Sequence, residues 1–202
     1  RDDRANLFYT IHPDDVERAD IVILPGTKST LDDLYHLRRC GMAQAVIHAH
    51  KCGRAVVGIC GGFQMLGQSI CDPDGVEGTI AELPGLGLLD IHTVLTAEKT
   101  TRQVTFEWNG STCSGYEIHQ GVSDAQTMVV EKEGVIGTYV HGFLDNPAVI
   151  EWLLNKIPHT QSAFKGIPAN PQEFKEKEYD RLADHVRHHV NIPKLYEIMS
   201  HD

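Results

Sequence analysis

Residues 55–66 read Ala-Val-Val-Gly-Ile-Cys-Gly-Gly-Phe-Gln-Met-Leu, and this stretch determines the fold that the sequence predicts. The apolar run 55–60 is typical of a strand buried on both faces of a parallel sheet. Residues 63–66 can begin a helix, so the chain passes from strand to helix through the two glycines after Cys60. We therefore expect a sharp turn at Cys60, at the carboxyl edge of a sheet.

The segment before this stretch shows the same order of elements. Residues 19–26 form an apolar run that ends in Pro-Gly, which is typical of a buried strand followed by a loop. Thr30 and Asp33 form a capping pair for a helix that extends to about Lys51, with an interruption at Gly41. Strand, helix, strand and helix in this order predict an α/β fold with a mostly parallel, mixed central sheet flanked by helices.

The middle of the chain, residues 86–140, is expected to form β-strands joined by turns. Asn109-Gly110 lies between the expected strands Val104–Trp108 and Ser111–Glu117, and Glu133-Gly134 lies between Met128–Val130 and Val135–Val140. Such pairs predict β-hairpins, so we expect an antiparallel hairpin region beside the parallel sheet.

The C-terminal part of the chain is expected to be helical. Pro147 stands at the first position of a helix that continues to about Lys156. A polar loop and a final amphipathic helix follow. We expect residues 1–157 to form one domain and residues 158–202 to form a loop and a helical extension packed on it.

Composition excludes several classes of function. The 202 residues carry a formal net charge of -10, and nucleic-acid binding needs a basic face, so we expect no nucleic-acid partner. No apolar run is long enough to span a bilayer, so we expect no membrane association. The five cysteines are odd in number and lack CxxC and zinc-ligand spacing, which indicates free thiols in the cytoplasm. His185 and His188 lie one turn apart on the final helix, but a solvated face explains them better than a metal site.

The predicted position of Cys60 favours a nucleophile. The N–H groups at the start of the following helix place a positive partial charge beside the sulfur. We expect this field to lower the pKa of the thiol, and the same N–H groups can hold an oxyanion during acyl transfer. The alternative is a buried structural cysteine before a glycine-rich helix, and the spacing alone leaves both interpretations open.

A cysteine nucleophile needs a base, which is usually a histidine elsewhere in the chain. The sequence has 12 histidines, so composition does not select one. Position favours His141, which directly follows the apolar run 135–140 and precedes a loop. His119, at the end of a glycine-bounded strand, is the second candidate.

Four motifs in this order resemble class I glutamine amidotransferase domains of the cobyric acid synthase and cobyrinate diamide synthase type. They are Ile-Leu-Pro-Gly-Thr-Lys-Ser-Thr (23–30), Val-Gly-Ile-Cys-Gly-Gly-Phe-Gln-Met-Leu-Gly (57–67), Gly-Tyr-Glu-Ile-His-Gln-Gly (115–121) and Gly-Thr-Tyr-Val-His-Gly-Phe-Leu-Asp-Asn (137–146). The stretch Tyr-Asp-Arg-Leu-Ala-Asp (179–184) is also similar, so the resemblance covers about residues 19–200. It implies the class I glutamine amidotransferase fold.

The resemblance implies roles for the matching residues. Cys60 would attack the γ-amide carbon of glutamine and form a thioester, while His141 moves the protons. The oxyanion hole would be built from the backbone around three residues: Gly26, Thr27 and Gly61. The glutamine pocket would be lined by three side chains: Gln64, Glu117 and His119.

One position departs from many class I amidotransferases, which carry a glutamate two residues after the catalytic histidine. Here that residue is Phe143. The pair then works as a Cys–His dyad, or another group orients His141. Glu117 is our hypothesis for that group because it lies in a motif near the site.

The resemblance also implies partners. Synthases of this type carry an N-terminal ATP-binding domain, and the phosphate-loop pattern Gly-x-x-x-x-Gly-Lys-Ser/Thr does not occur in this sequence. We expect ammonia to pass to such a synthetase domain, where ATP and Mg²⁺ activate a carboxylate of the corrinoid acceptor adenosylcobyrinic acid a,c-diamide. We expect no cofactor in the present domain.

Three alternatives stay open. The chain is a glutaminase subunit of another ligase, such as one that amidates a cell-wall lipid precursor; or a non-catalytic domain of the same fold; or a cysteine hydrolase acting on peptides or esters. The loop at 25–30 and the stretch at 179–184 argue against the first, and the presence of Cys60, His141 and Gln64 counts against the second.

Overall fold

The computed structural model describes residues 4–157 and 171–200. The chain divides into two compact units, one formed by Leu7–Phe164 and the other by Arg1–Asn6 with Lys165–Asp202. The loop predicted between residues 158 and 170 lies outside the described residues, and the packing of the extension on the first domain stays a prediction.

The helices and strands follow the chain in one series. They are α1 (Pro13–Arg18), β1 (Ile21–Leu24), α2 (Thr30–Arg39), α3 (Met42–Lys51), β2 (Ala55–Ile59), α4 (Gly61–Leu66), β3 (Ser69–Cys71), β4 (Glu82–Pro84), β5 (His92–Trp108), β6 (Ser111–Ser123), β7 (Val129–Lys132), β8 (Val135–Thr138), β9 (Val140–His141), a 3₁₀ turn (Phe143–Asp145), α5 (Pro147–Asn155), α6 (Pro171–His189) and α7 (Ile192–Met199).

A four-stranded sheet with the order β1-β2-β8-β7 lies at the centre of the larger unit. Its first three strands are parallel and β7 is antiparallel, so the predicted mostly parallel, mixed sheet is confirmed. The predicted interruption at Gly41 is also present, because Gly41 has a φ of 85° and separates α2 from α3. In the described residues no helix combines the length and the apolarity needed to cross a bilayer.

Alternation along the strands gives this sheet two buried faces. Val56 belongs to a core shared with residues of α1 to α4, such as Leu34 and Val46. Val57, the next residue, belongs to a second core shared with the β5–β6 hairpin and α5, which includes Phe106. The apolar run of β2 is therefore continuous because both of its faces are covered.

Both predicted hairpins are confirmed. Asn109 and Gly110 have φ values of 48° and 76°, and Glu133 and Gly134 have 50° and 82°. Two successive positive φ values are typical of the tight turn that matches strand twist. The strands on either side of Asn109 are longer than predicted, and β5 and β6 form the middle of a second sheet with the order β4-β3-β5-β6-β9.

The run 135–140, predicted as one strand, is split between the two sheets. β8 pairs with β2 in the first sheet, whereas β9 pairs with β6 in the second. The Thr138 hydroxyl accepts a hydrogen bond from the Val140 N–H at 3.0 Å, so this N–H bonds to a side chain two residues back. The prediction of one strand was wrong because burial is similar in both sheets, and the break brings His141 opposite Tyr116.

Candidate active site

The turn at Cys60 joins β2 to α4. Cys60 has φ 54° and ψ -116°, a conformation that residues other than glycine rarely adopt. Its N–H donates to the Thr138 carbonyl at 2.9 Å, and its own carbonyl accepts from the Gln64 N–H at 3.1 Å. The sharp turn that the sequence predicts is present, and it holds the thiol at the carboxyl edge of the parallel sheet.

The glycines around Cys60 let α4 lie directly on the first two strands. A Cβ atom at Gly62 would overlap the backbone carbonyl of Leu24 in β1. A Cβ atom at Gly58 would lie 2.5 Å from Leu66 Cδ1 and 2.6 Å from the Gly62 carbonyl oxygen. Because real Cβ atoms do not approach backbone this closely, the small residues are required by packing.

Cys60 and His141 face the same point above the loop after β1. A Cβ atom placed on Gly26 would lie 3.3 Å from Cys60 Cβ and 3.4 Å from His141 Cε1. The Nε2 atom of His141 is buried and has no hydrogen-bond partner in the part of the chain that the structure describes. The structure therefore places the two side chains that the sequence selects beside the same glycine, while the thiol itself donates to the Ile118 carbonyl at 3.7 Å.

The imidazole of His141 is held by β6. Its ring stacks on Tyr116, with 5.2 Å between the centroids and 13° between the planes, and the two residues are paired across β6 and β9. Phe143 is fully buried, and its ring packs against Phe106 and Trp108 at 5.8 Å and 5.4 Å. The position that usually carries a glutamate therefore belongs to the hydrophobic core.

Glu117 has a different partner from the one hypothesised. Its carboxylate accepts a hydrogen bond from Arg102 Nε at 2.6 Å, and no hydrogen bond joins it to His141 among the described residues. Along a strand, successive side chains point to opposite faces, so Tyr116 and Glu117 cannot both lie against the ring of His141. The structure does not support Glu117 as the group that orients His141, and assigns that contact to Tyr116.

Two backbone N–H groups lie beside the thiol. The Gly61 N–H acts on the Cys60 thiol and lowers its pKa, and a Cβ atom at Gly61 would lie 3.2 Å from the Thr27 nitrogen. Within the described residues the Thr27 N–H has no acceptor, while its side chain hydrogen-bonds to Asp33. The start of α4 and the loop after β1 therefore present adjacent N–H donors, as an oxyanion hole requires.

The side chain of Gln64 is 2% exposed and is bonded at both ends. Its carbonyl oxygen accepts from the Thr30 hydroxyl at 3.1 Å. Its NH₂ group donates to the Gln120 carbonyl at 3.0 Å and to the Tyr139 hydroxyl at 3.2 Å. Gln64 therefore joins α2 and β6 to the end of the parallel sheet.

His119 lies next to this network. Its ring stacks on Tyr139 with 3.7 Å between centroids, and Nδ1 bonds to the Gly121 carbonyl at 3.2 Å. Burial lowers the pKa of His119, and the bond to the Gly121 carbonyl and the charge of Glu117 oppose this effect only in part, which favours the neutral ring.

The electrostatics of the thiol differ from expectation. Burial has the largest effect on the pKa of Cys60 and raises it, because this residue is only 9% exposed. The Gly61 N–H acts in the opposite direction, and the negative charge of Glu77 raises the pKa further. The expectation of a lowered pKa was wrong because desolvation outweighs the few N–H groups of a six-residue helix.

Sequence reasoning missed Glu77 altogether. It lies in a loop whose Asp-Pro-Asp-Gly start, at 72–75, is typical of a turn. A single glutamate in such a loop has no periodicity or spacing that links it to Cys60. Among the described residues no group of three or more histidine, cysteine, aspartate or glutamate side chains is arranged to hold a metal ion.

Comparison with known proteins gives relatives for the whole chain. A cobyric acid synthase of Phocaeicola vulgatus is 47% identical over 99% of this chain and 44% of its own length. A cobyric acid synthase of Clostridium perfringens is 38% identical over 93% of this chain and 42% of its own length. The chain thus spans less than half the length of these curated relatives.

Comparison with solved structures supports the fold. A structure described as the crystal structure of a glutamine amidotransferase superposes with a TM-score of 0.54 at 19% identity, over 73% of this chain and 84% of its own. This likeness shows the class I glutamine amidotransferase fold that the sequence predicts. The model of the CobB/CobQ-like glutamine amidotransferase domain matches residues 1–149, and the chain therefore belongs to this family.

Proposed function

We propose that this chain is the glutaminase part of a cobyric acid synthase, in which Cys60 and His141 hydrolyse glutamine to supply ammonia. The observation that carries the proposal is that both side chains border the same glycine: a Cβ atom built on Gly26 would lie 3.3 Å from Cys60 Cβ and 3.4 Å from His141 Cε1. The identity of 47% with a cobyric acid synthase over 99% of the chain supports the choice of enzyme.

In the first half of the reaction, the Cys60 proton passes to His141 Nε2 and the sulfur attacks the γ-amide carbon of glutamine. The carbonyl oxygen becomes an oxyanion, which the N–H groups of Gly61 and Thr27 bind beside Gly26. His141 then gives its proton to the amide nitrogen, the carbon–nitrogen bond breaks and ammonia leaves. The product is a γ-glutamyl thioester on Cys60.

In the second half, His141 takes a proton from water, and the hydroxide attacks the thioester carbon. The carbon–sulfur bond breaks, and the proton returns to the sulfur as glutamate leaves. His141 is the only proton carrier that each step needs, so a Cys–His dyad is sufficient if the imidazole ring is oriented. The stacking of this ring on Tyr116 supplies that orientation. Glu117 and His119, on the same strand as Tyr116, line the glutamine pocket in this proposal.

Gln64 contributes to the pocket in a more indirect way than the resemblance implies. Because both ends of its amide are bonded to the protein, it holds the walls of the pocket in place. Its bonds to Thr30 and Gln120 connect the helix after the oxyanion loop with the strand that carries His119. We propose this positioning role for Gln64.

The released ammonia is used in the part of the enzyme to which this chain does not align. The relatives are more than twice as long as the matched region, and we propose that their remaining part binds ATP and Mg²⁺ and activates carboxylates of the corrinoid acceptor adenosylcobyrinic acid a,c-diamide. Ammonia then forms the side-chain amides, while the present chain needs no cofactor of its own.

Covalent labelling tests the glutaminase assignment. A diazo-ketone analogue of glutamine should alkylate Cys60 alone, and peptide mass spectrometry locates the adduct. Free glutamine should protect Cys60, and Cys71→Ser is the matched control because Cys71 is a free, half-buried thiol outside the site. No adduct, or one spread over Cys40, Cys52 and Cys71, would overturn the proposal.

A further inference from the structure

A loop between β3 and β4 presents Glu77 to the active site in a fixed position. Asp72, which is 2% exposed, accepts hydrogen bonds from the Val76 N–H at 2.7 Å and the Glu77 N–H at 2.9 Å. The Asp72 N–H in turn donates to the Ala81 carbonyl at 2.7 Å. The buried carboxylate of Asp72 therefore closes the loop and determines where Glu77 lies.

The carboxylate of Glu77 reaches the wall of the proposed glutamine pocket. It accepts hydrogen bonds from the Thr30 N–H at 2.5 Å and from the Thr30 hydroxyl at 3.3 Å. The same hydroxyl bonds to Gln64, and it would lie 3.2 Å from a Cβ atom on Gly61. Glu77 is thus one side chain away from the residue that follows the nucleophile.

Among the described residues, no cationic side chain pairs with Glu77, whose carboxylate lies at the start of α2. Its partners are neutral N–H and hydroxyl groups, and among the described residues it forms no ion pair. Glu117, the other carboxylate near the site, is paired with Arg102 at 2.6 Å. Burial raises the pKa of Glu77, as expected for a half-buried carboxylate without a cationic partner.

An anion without a cationic partner at this position opposes catalysis. The charge of Glu77 raises the pKa of the Cys60 thiol and so disfavours the thiolate that the reaction needs. A cation that arrives with the substrate would remove this penalty. Glutamine carries one cationic group, the ammonium on its α-carbon, which is the third carbon from the amide carbon that Cys60 attacks.

We propose that Glu77 binds the α-ammonium group of glutamine and makes the site selective for α-amino acid amides. The inference rests on the proposed glutaminase function. Binding of the substrate then neutralises Glu77, so the thiol becomes easier to ionise when glutamine is in place. Amides without an α-amino group lack both the contact and this activation.

Two probes that differ only in the α-amino group test the proposal. One is the diazo-ketone analogue of glutamine, and the other is the same diazo-ketone without the α-amino group. For the unaltered chain, we expect the rate of Cys60 alkylation to be about 10- to 100-fold higher with the first, as for a charged hydrogen bond. Equal rates with both probes would overturn the role of Glu77 and leave the glutaminase assignment intact, whereas no adduct on Cys60 with either probe would overturn the glutaminase assignment itself.

Variants separate substrate binding from support of α2. Glu77→Gln should lose most of the preference for the amino probe while its rate with the other probe changes less than about 3-fold, and Glu77→Asp should retain part of the preference. Glu98→Gln, an exposed glutamate on β5, is the matched control and should behave as the unaltered chain. An equal decrease with both probes in Glu77→Gln would show a structural role only.

With a small neutral reagent, Glu77→Gln should change the alkylation rate of Cys60 in the opposite direction. Iodoacetamide makes no use of the glutamine pocket, so its rate at fixed pH reports the thiolate fraction of Cys60. Because removal of the negative charge favours the thiolate, Glu77→Gln should react faster with iodoacetamide although it reacts more slowly with the amino diazo-ketone. Slower reaction with both reagents would contradict the proposal.

Discussion

Replacing Gln64 with leucine tests whether this residue holds the site together. The amide of Gln64 bonds to the Thr30 hydroxyl, the Gln120 carbonyl and the Tyr139 hydroxyl, at 3.0 to 3.2 Å. After the substitution, the Thr30 hydroxyl keeps Glu77 as an acceptor, and the Tyr139 hydroxyl still bonds to the Ser123 hydroxyl at 2.6 Å. The Gln120 carbonyl, in contrast, loses the side-chain donor that Gln64 provides, and no other side chain takes its place among the described residues.

These contacts give the size of the effect. Loss of a donor at the part-buried Gln120 carbonyl costs about 1–3 kcal/mol, and each of the two lost hydroxyl contacts contributes about 0.5–1.5 kcal/mol. Leucine fills a similar volume and offsets part of this loss through its apolar surface. We therefore expect Gln64→Leu to lower the free energy of unfolding by about 2–4 kcal/mol.

Urea unfolding followed by tryptophan fluorescence measures this change, because Trp108 and Trp152 pack together in the second core with their rings 5.5 Å apart. With a slope of about 2 kcal/mol per molar urea, the midpoint should fall by roughly 1–2 M. Gln68→Leu is the matched control, since Gln68 follows the same helix but is half-buried, and its loss should be below about 1 kcal/mol. Equal midpoints for Gln64→Leu and the unaltered chain would refute the positioning role.

Three further predictions concern the residues around the thiol. His141→Asn removes the proposed proton carrier and should lower the rate of glutamate release by about 10²–10⁴-fold, while the urea midpoint stays near that of the unaltered chain. Burial raises the pKa of Cys60, so without substrate its thiolate fraction grows only at a higher pH than that of a solvent-exposed cysteine. Iodoacetamide labelling of Cys60, followed by mass spectrometry, should therefore increase with pH through a higher midpoint than labelling of the exposed Cys40, and a lower midpoint for Cys60 would contradict the role of burial. Gly62→Ala places a Cβ atom against the Leu24 carbonyl and should cost about 1–3 kcal/mol in urea unfolding, whereas Gly78→Ala, with its nearest contact at 3.5 Å, should cost less than about 0.5 kcal/mol.

Much of the fold follows from local patterns. The strand-to-helix turn at Cys60, the glycine between α2 and α3, and both hairpins were predictable because apolar runs and turn residues report the local backbone directly. The split of the run 135–140 was not, because Val135 and Val140 are both fully buried although they belong to different sheets. A sequence pattern records burial, but it does not record which sheet provides it.

The site was predictable to the extent that it depends on chain position. Cys60 and His141 follow the ends of adjacent parallel strands, and parallel strands bring their carboxyl ends to one edge of the sheet. The roles of Tyr116 and Glu77 depend on strand register and on a loop closed by Asp72, and neither has a sequence signature. The pKa of the thiol was predicted in the wrong direction because the sequence shows that a helix N-terminus follows Cys60, but it does not show that desolvation of the thiol has the larger effect.

The most direct test of the account is the isolation of the acyl-enzyme. The chain is incubated with glutamine, quenched in acid during turnover and digested, and the peptide that contains Cys60 is analysed by mass spectrometry. We expect a γ-glutamyl thioester on Cys60 that is absent from Cys60→Ala and unchanged in Cys71→Ser. Continued hydrolysis of glutamine by Cys60→Ala, or the thioester on another cysteine, would contradict it.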